Sequence, residues 1–196
     1  MLLQLQNVSG GYGNKDVVKN VSCHAHEGEI LCLAGPNGCG KTTLSNKLAK
    51  KLSLPLIHLD ALYWNDNWKP VPDEEFDRLL MSELLQPRWI IDGNISRTIP
   101  LRLQYCDAVI FMDFSRIRCL TGVIGRFVKN YGKSRTDMGG ICPERLNAEK
   151  IRFIKGVWTH HKETRRRFYD MMGEADDVNI VILKNRRETD QFLSEL

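Results

Sequence analysis

The sequence predicts an α/β fold: a mostly parallel sheet covered by helices on both faces, preceded by an antiparallel strand pair. Three observations carry that reading. Short apolar runs alternate with segments of helical spacing along most of the chain. One of those runs, Ile30-Leu31-Cys32-Leu33-Ala34, opens directly into the glycine-rich octapeptide GPNGCGKT at Gly35 to Thr42. Near the N-terminus, Leu2 to Val8 alternates apolar and polar residues, as a half-covered strand does.

Taken in order, Leu2 to Val8 is a strand, Gly10-Gly11-Tyr12-Gly13-Asn14 a turn and Val17 to Ala25 a second strand, after which Glu27-Gly28 leads into the apolar run. Thr43 to Leu52 has helical spacing, and Leu56 to Leu59 is a short strand. Pro72-Asp73-Glu74-Glu75 opens a helix, because proline presets the first turn and acids suit its positive end. Trp89 to Ile91 and Ala108 to Met112 are buried strands. Ser115 to Asn130 and Ala148 to Met172 are helical around a loop containing glycine and proline, and Asn179 to Leu183 is the last strand. With 196 residues, 42% of them apolar, the chain 1–196 reads as one domain with one core.

Composition narrows the setting. The six cysteines, Cys23, Cys32, Cys39, Cys106, Cys119 and Cys142, show no C-x-x-C spacing, which predicts a reducing, cytoplasmic environment. No charged-then-apolar leader opens the chain, and no apolar run reaches the roughly 18 residues of a membrane helix, so neither export nor a membrane span is expected. Net charge is +4, yet residues 115–170 hold 14 Lys/Arg against 5 Asp/Glu, leaving −5 on the remainder. That basic segment is a solvated helix face, a nucleic-acid surface or a lid that handles phosphate.

GPNGCGKT matches G-x-x-x-x-G-K-[ST] in the strand-turn-helix setting this pattern needs. Backbone N–H groups of such a turn cradle phosphate oxygens, and the following helix points its positive end at the anion. The reading assigns Gly35, Pro36, Asn37, Gly38, Cys39, Gly40, Lys41, Thr42 and Thr43 to a nucleoside triphosphate, expected to be ATP. Lys41 neutralises the terminal phosphates and Thr42 offers its hydroxyl to Mg²⁺.

Two further signals follow apolar strands. Asp60 comes after His58-Leu59, where its carboxylate either faces a substrate crevice, to orient an acceptor hydroxyl or hold Mg²⁺ through water, or caps a helix. Asp113 ends Val109-Ile110-Phe111-Met112-Asp113 and either holds Mg²⁺ indirectly beside Thr42 or caps the next helix. Trp64 and Trp68, four apart on an expected helix, form an aromatic wall for a planar acceptor or cover core. His160-His161, with no acid or cysteine at ligand spacing, reads as a pair on a helix surface.

Two resemblances divide at the phosphate loop. LQLQNVSGGYGNKDVVKNVSCHAHEGEILCLAGPNGCGKTTL resembles the opening of an ABC-transporter ATPase, and this likeness implies that Tyr12 stacks on adenine. The later parts of that family, an LSGGQ-type signature, a strand ending in Asp-Glu and a switch histidine, are absent. Residues 38–196, through IHLDALYW, WIIDGNISRT, VIFMDF, RCL, GKSRTDM and CPERL, resemble the adenylate-kinase-related proteins called DNA topology modulation proteins. Together they imply a P-loop NTPase three-layer sandwich carrying an ABC-like N-terminal hairpin over about residues 1–28, as in a fusion within the shared loop.

The second resemblance implies further roles. In nucleotide kinases a similar D-G-x-x-R element grips the acceptor's phosphate, which makes Asp92 of Asp92-Gly93-Asn94 and, three residues further on, Arg97 substrate-binding candidates, with Arg102 second to Arg97. An exposed salt bridge is the other reading of Arg97. A lid is expected over about 126–146, where Arg126 and Arg135 either close on the transferring phosphoryl group or stand as solvated cations. The expected activity is ATP- and Mg²⁺-dependent phosphoryl transfer to a small acceptor, with Lys41, Arg126, Arg135 and Asp60 as catalytic candidates. A nucleic-acid-associated ATPase or DNA topology modulator, a nucleotide-binding module with little turnover and, last, an ABC-type subunit are the alternatives.

Overall fold

The computed structural model describes residues 3–12, 15–25, 30–175 and 178–196, with side chains described from residue 30 onward. Two antiparallel strands, β1 (Leu3–Tyr12) and β2 (Lys15–Ala25), come first and pair with each other in a small separate sheet. β1 runs through Gly10-Gly11 to Tyr12, so the predicted turn begins later than the glycines suggest. Irregularities in register at Leu5/Val8, Val8/Gly10 and Gly10/Gly11 let the ladder continue across residues that seldom pack in strands. Residues 13–14 and 26–29, which include Glu27-Gly28, lie outside the described residues.

The main sheet has five parallel strands. They are β3 (Leu31–Ala34), β4 (Leu56–His58), β7 (Ile90–Asp92), β8 (Ala108–Met112) and β9 (Asn179–Leu183), in the order β4-β7-β3-β8-β9. β3 therefore sits at the centre, between two strands that each end beside an acid. Strand alternation sends Leu31 and Leu33 to one face and Cys32 and Ala34 to the other. On the first face lie α1 (Lys41–Leu52), through Leu44, Leu48 and Leu52, and α8 (Arg186–Glu195), through Phe192. On the second lie α3 (Asp73–Leu84), through Phe76, Leu80 and Leu84, and α7 (His161–Gly173), through Phe168, Tyr169 and Met172. Each of these buried leucines adds about 2 kcal/mol of burial free energy.

Between β4 and α3 the chain makes α2 (Leu59–Tyr63) and a short antiparallel pair, β5 (Trp64–Asn65) and β6 (Lys69–Pro70), joined by a tight turn at Asp66–Trp68. Trp64 and Trp68 thus stand on a hairpin, a correction to the helix expected there. Asn67 and Trp68 both take left-handed backbone angles, φ 57° and 59°, which hold the turn in a conformation bulky residues rarely adopt. After β7 come a 3-10 turn at Ser96–Thr98 and α4 (Ile99–Leu103).

The basic segment contains α5 (Arg116–Lys129) and α6 (Ala148–Thr159). The single helix predicted over Ala148 to Met172 is broken at His160, whose ψ of 5° ends α6 before α7 begins. The break lets His161 turn inward: its Nε2 bonds to the carbonyl oxygen of Phe114 at 2.9 Å, and the residue is 9% exposed. The histidine pair is not a surface pair. Cys32, Cys39, Cys106, Cys119 and Cys142 are free and buried. Among the described residues no helix is long and apolar enough to cross a membrane.

Candidate functional site

The loop 35–40 leaves β3 and turns straight into α1. Gly38 makes this possible. Its φ is +85°, and a Cβ there would lie 2.0 Å from the carbonyl oxygen of Cys119, so only a glycine lets α5 pack against the loop. Lys41 is buried and folds back over the loop, donating to the carbonyl oxygens of Gly35 at 2.7 Å and Pro36 at 3.0 Å. Its ammonium therefore sits within the turn whose backbone N–H groups would face phosphate.

Thr42 donates its hydroxyl to Oδ2 of Asp92 at 2.8 Å, and Ser45 approaches the same oxygen at 3.4 Å. Nδ1 of His58 stands 3.4 Å from it. Burial alone would raise the Asp92 carboxyl, but the His58 contact, the Lys41 charge and the Thr42 hydroxyl hold it below its ordinary value. The Asp92 contact in turn raises His58. Oδ1 of Asp92 is buried and has no hydrogen-bond partner among the described residues. A carboxylate with one oxygen spare beside a threonine hydroxyl fits the hard oxygen ligation of Mg²⁺.

The expected partner of Thr42 was Asp113, and here the structure differs. Asp113 is 6% exposed and accepts from Nε and Nη2 of Arg165, both at 2.5 Å, and from the hydroxyl of Tyr169 at 2.9 Å. Its two oxygens are thus engaged by α7. Burial, with the Asp113 bond second, pushes the Tyr169 phenol up to about 12. Asp92, expected to grip an acceptor phosphate, instead stands at the phosphate loop.

The two arginines of the 92–103 region, Arg97 and Arg102, also stand away from an acceptor site, and Arg97 takes the alternative expected of it, an exposed salt bridge. Arg97 swings outward on the 3-10 turn and pairs with Asp77 at 2.7 Å and Asp73 at 3.0 Å, drawn by the acidic first turns of α3. It lies over the Phe76 ring at 5.4 Å and does not line the large cavity described below. Arg102 is 0% exposed, within the core, and cannot reach an acceptor.

A cavity of about 910 Å³ opens between the loop at Asn37 and the segment that follows α5. Asp60, Asn94, Arg126 and Arg135 line it, with aromatic walls from Tyr63, Trp64, Trp68 and Phe153 and cations Arg145, Lys150 and Arg152. Asp60 lies in the first turn of α2 and accepts from Arg135 at 3.0 Å; Arg135 is 8% exposed and also approaches Asp137 at 3.5 Å. Arg126 is half-buried, and desolvation, helped by the Arg135 charge, lowers its pKa. The cavity therefore brings Asn37 of the loop together with Asp60, Arg126 and Arg135 from segments far apart in sequence. Tyr12, the remaining candidate, has a side chain outside the described residues.

The β5–β6 hairpin and the loop 131–147 form the outer wall together. Asn67 N–H donates to the Ile141 carbonyl at 2.9 Å, and Ile141 N–H to Oδ1 of Asp66 at 2.7 Å. The Trp68 indole donates to the Pro143 carbonyl at 3.1 Å, and the Cys142 thiol to the Asn65 carbonyl at 3.2 Å. Behind them Glu144, 1% exposed, is ion-paired with Lys150, whose ammonium lies 5.3 Å from both the Trp68 and Phe153 ring centres. Sequence reasoning passed over Glu144 and Lys150; CPERL marked the segment but not the ion pair. A smaller cavity of about 110 Å³ borders the other side of the loop, lined by Thr43, Lys47, Phe114 and Arg186 among others.

A family model described as ABC transporter matches residues 18–91. An uncharacterized ABC transporter ATP-binding protein of Methanocaldococcus jannaschii is 47% identical over 51 residues, covering 26% of this chain and 18% of that relative. A spermidine/putrescine import ATP-binding protein of Spiroplasma citri is 30% identical over 127 residues, covering 63% of this chain and 35% of that relative. The chain thus spans about a third or less of the length of these relatives. Among solved structures, a shikimate kinase from Acinetobacter baumannii in complex with shikimate superposes with a TM-score of 0.51 at 14% identity, over 86% of this chain and 90% of that one. The fold is that of P-loop nucleotide-binding proteins, kinase-like in its main sheet.

Proposed function

We propose that this protein transfers a phosphoryl group from Mg-ATP to a small hydroxylated acceptor. The observation that carries the reading is the cavity in which Asn37 of the phosphate loop, Asp60, Arg126 and Arg135 converge. The terminal phosphates would lie on the loop backbone with Lys41 beside them, and Thr42 and Asp92 would hold the Mg²⁺, which supplies charge neutralisation when bound. Asp60, fixed by Arg135, is placed to accept the proton of an acceptor hydroxyl. Arg126, whose charge desolvation makes costly, gains most from an anion arriving in the cavity. The paired tryptophans suit a planar portion of the acceptor.

ADP release from Mg-ATP, measured alone and with nucleosides, nucleoside monophosphates and small hydroxylated metabolites, tests the proposal. Stimulation by one acceptor supports it. Release that persists in Lys41→Ala, or that no acceptor stimulates, overturns it. Loss of the Lys41 charge is expected to weaken ATP binding by about 3 kcal/mol, roughly a hundredfold.

The family match over residues 18–91 favours a second reading, an ABC-type ATP-binding subunit. The chain carries no LSGGQ-type signature to complete the site of a partner subunit. Acceptor-independent hydrolysis that rises steeply with protein concentration would support this reading over the first. A nucleic-acid-associated ATPase has less in its favour, because Arg135, Lys150 and Arg165 of the basic segment are engaged by acids of the chain itself.

A further inference from the structure

Arg102 projects from α4 into the core and is 0% exposed. A guanidinium keeps its proton in a protein, so burying one is costly unless partners replace the lost water. No carboxylate pairs with it among the described residues. Nη1 lies 3.3 Å from Sγ of Cys32 and 3.5 Å from the carbonyl oxygen of Gly93, Nη2 lies 3.4 Å from the carbonyl oxygen of Ile95, and Nε has no partner. A methionine or leucine would fill similar space with no charge to satisfy, and such replacements of buried ions are often neutral or stabilising. The use of the charge lies in what it holds.

Its contacts link two places. Cys32 belongs to β3, the strand that delivers the phosphate loop. Gly93 and Ile95 belong to the turn after β7, which sets Asp92 against Thr42 and brings Asn94 to the cavity wall, where Oδ1 of Asn94 is buried without a partner. The opposite side of that turn presses on α2: a Cβ on Gly93 would stand 2.5 Å from Cβ of Leu59. The turn is wedged between Leu59 and Arg102.

We propose that Arg102 is a positioning residue. By holding the carbonyls of Gly93 and Ile95 against the phosphate-loop strand, it fixes the Asp92–Ile95 turn and so sets the metal-side carboxylate, without touching nucleotide or acceptor. The inference rests on the proposed place of Asp92 beside Mg²⁺. Outer groups that orient a metal-binding carboxylate commonly alter metal affinity by about tenfold or more.

The test uses the full chain, with ADP as probe and no acceptor. Wild-type protein is expected to bind ADP more tightly with Mg²⁺ than without. Arg102→Met should lose about tenfold of that gain while its metal-free ADP affinity stays within about twofold of wild type. In the metal-free protein, amide hydrogen exchange at residues 93–95 should quicken while the amides of β3 and β8 keep their protection. An undiminished Mg²⁺ gain, no gain in the wild type, or exchange that rises evenly across the sheet overturns the proposal. If Arg102→Met gives no cooperative melt, Arg102→Lys carries the test: it should show the same selective pattern, and a wild-type Mg²⁺ gain in it overturns the proposal. A selective loss stands even if no acceptor ever stimulates ADP release. A working kinase whose Arg102→Met variant is unaltered overturns the role of Arg102 alone.

Discussion

The two walls of the large cavity are built in different ways. The phosphate-loop wall meets the cavity at Asn37, within a run of eight consecutive residues whose shape comes from backbone angles and from glycines that leave room for a neighbouring helix. The outer wall is made by side chains from segments about 75 residues apart, such as Arg135 on Asp60 and the Trp68 indole on the Pro143 carbonyl. One wall is local and backbone-made, while the other is assembled and exists only once the fold has formed.

If that contrast is right, the loop should fail when its backbone is disturbed, even with every charge in place. Gly38→Ala adds one methyl group at φ +85° and 2.0 Å from the Cys119 carbonyl oxygen, and should cost about 3 kcal/mol or more in ADP affinity by calorimetry. ADP affinity within twofold of wild type would mean that the loop is more yielding than its geometry suggests. The outer wall should fail when a side-chain partner is removed. Glu144→Gln strands the ammonium of Lys150, whose side chain is 14% exposed, and should lower stability in urea by about 3 kcal/mol while ADP affinity holds.

A smaller effect separates the two acids that flank β3. Asp92→Asn should abolish most of the Mg²⁺ gain in ADP affinity, about tenfold, whereas Asp113→Asn should keep that gain and lose about 1–2 kcal/mol of stability through Arg165. The reverse result would return the metal role to Asp113. Smallest of all is Arg97→Ala. Its pairs with Asp73 and Asp77 are solvent-exposed, so stability should change by less than about 1 kcal/mol and acceptor KM not at all. A large rise in acceptor KM would restore Arg97 to the acceptor site.

The same contrast explains what the sequence disclosed. The phosphate loop and the strand-helix alternation were legible because each depends on neighbours in the chain, and that alternation in turn implies a parallel sheet. Assigning an acid to Thr42 was harder, since β7 ends in Asp92, β8 runs into Asp113 and both strands lie next to β3. The choice is made by distant residues, Arg165 and Tyr169, which occupy Asp113 and leave Asp92 to Thr42. Helical spacing runs without interruption through His160-His161, and the break there is accompanied by a bond from His161 to Phe114 that no local pattern encodes. The Trp64–Pro70 hairpin was hidden for a like reason: its strained turn is supported by hydrogen bonds from the loop 131–147, out of reach of any window of neighbouring residues.

Those hydrogen bonds carry a kinetic consequence. The β5–β6 hairpin and the loop 131–147 are tied together through Asn67, Ile141, Trp68 and Cys142, with the Asp60–Arg135 pair beside them. Neither flap can swing away alone without breaking several bonds at once. In the proposed kinase, admission of one substrate and departure of the other product would thus share a single gate, and the two traffic flows through this cavity would keep time with each other.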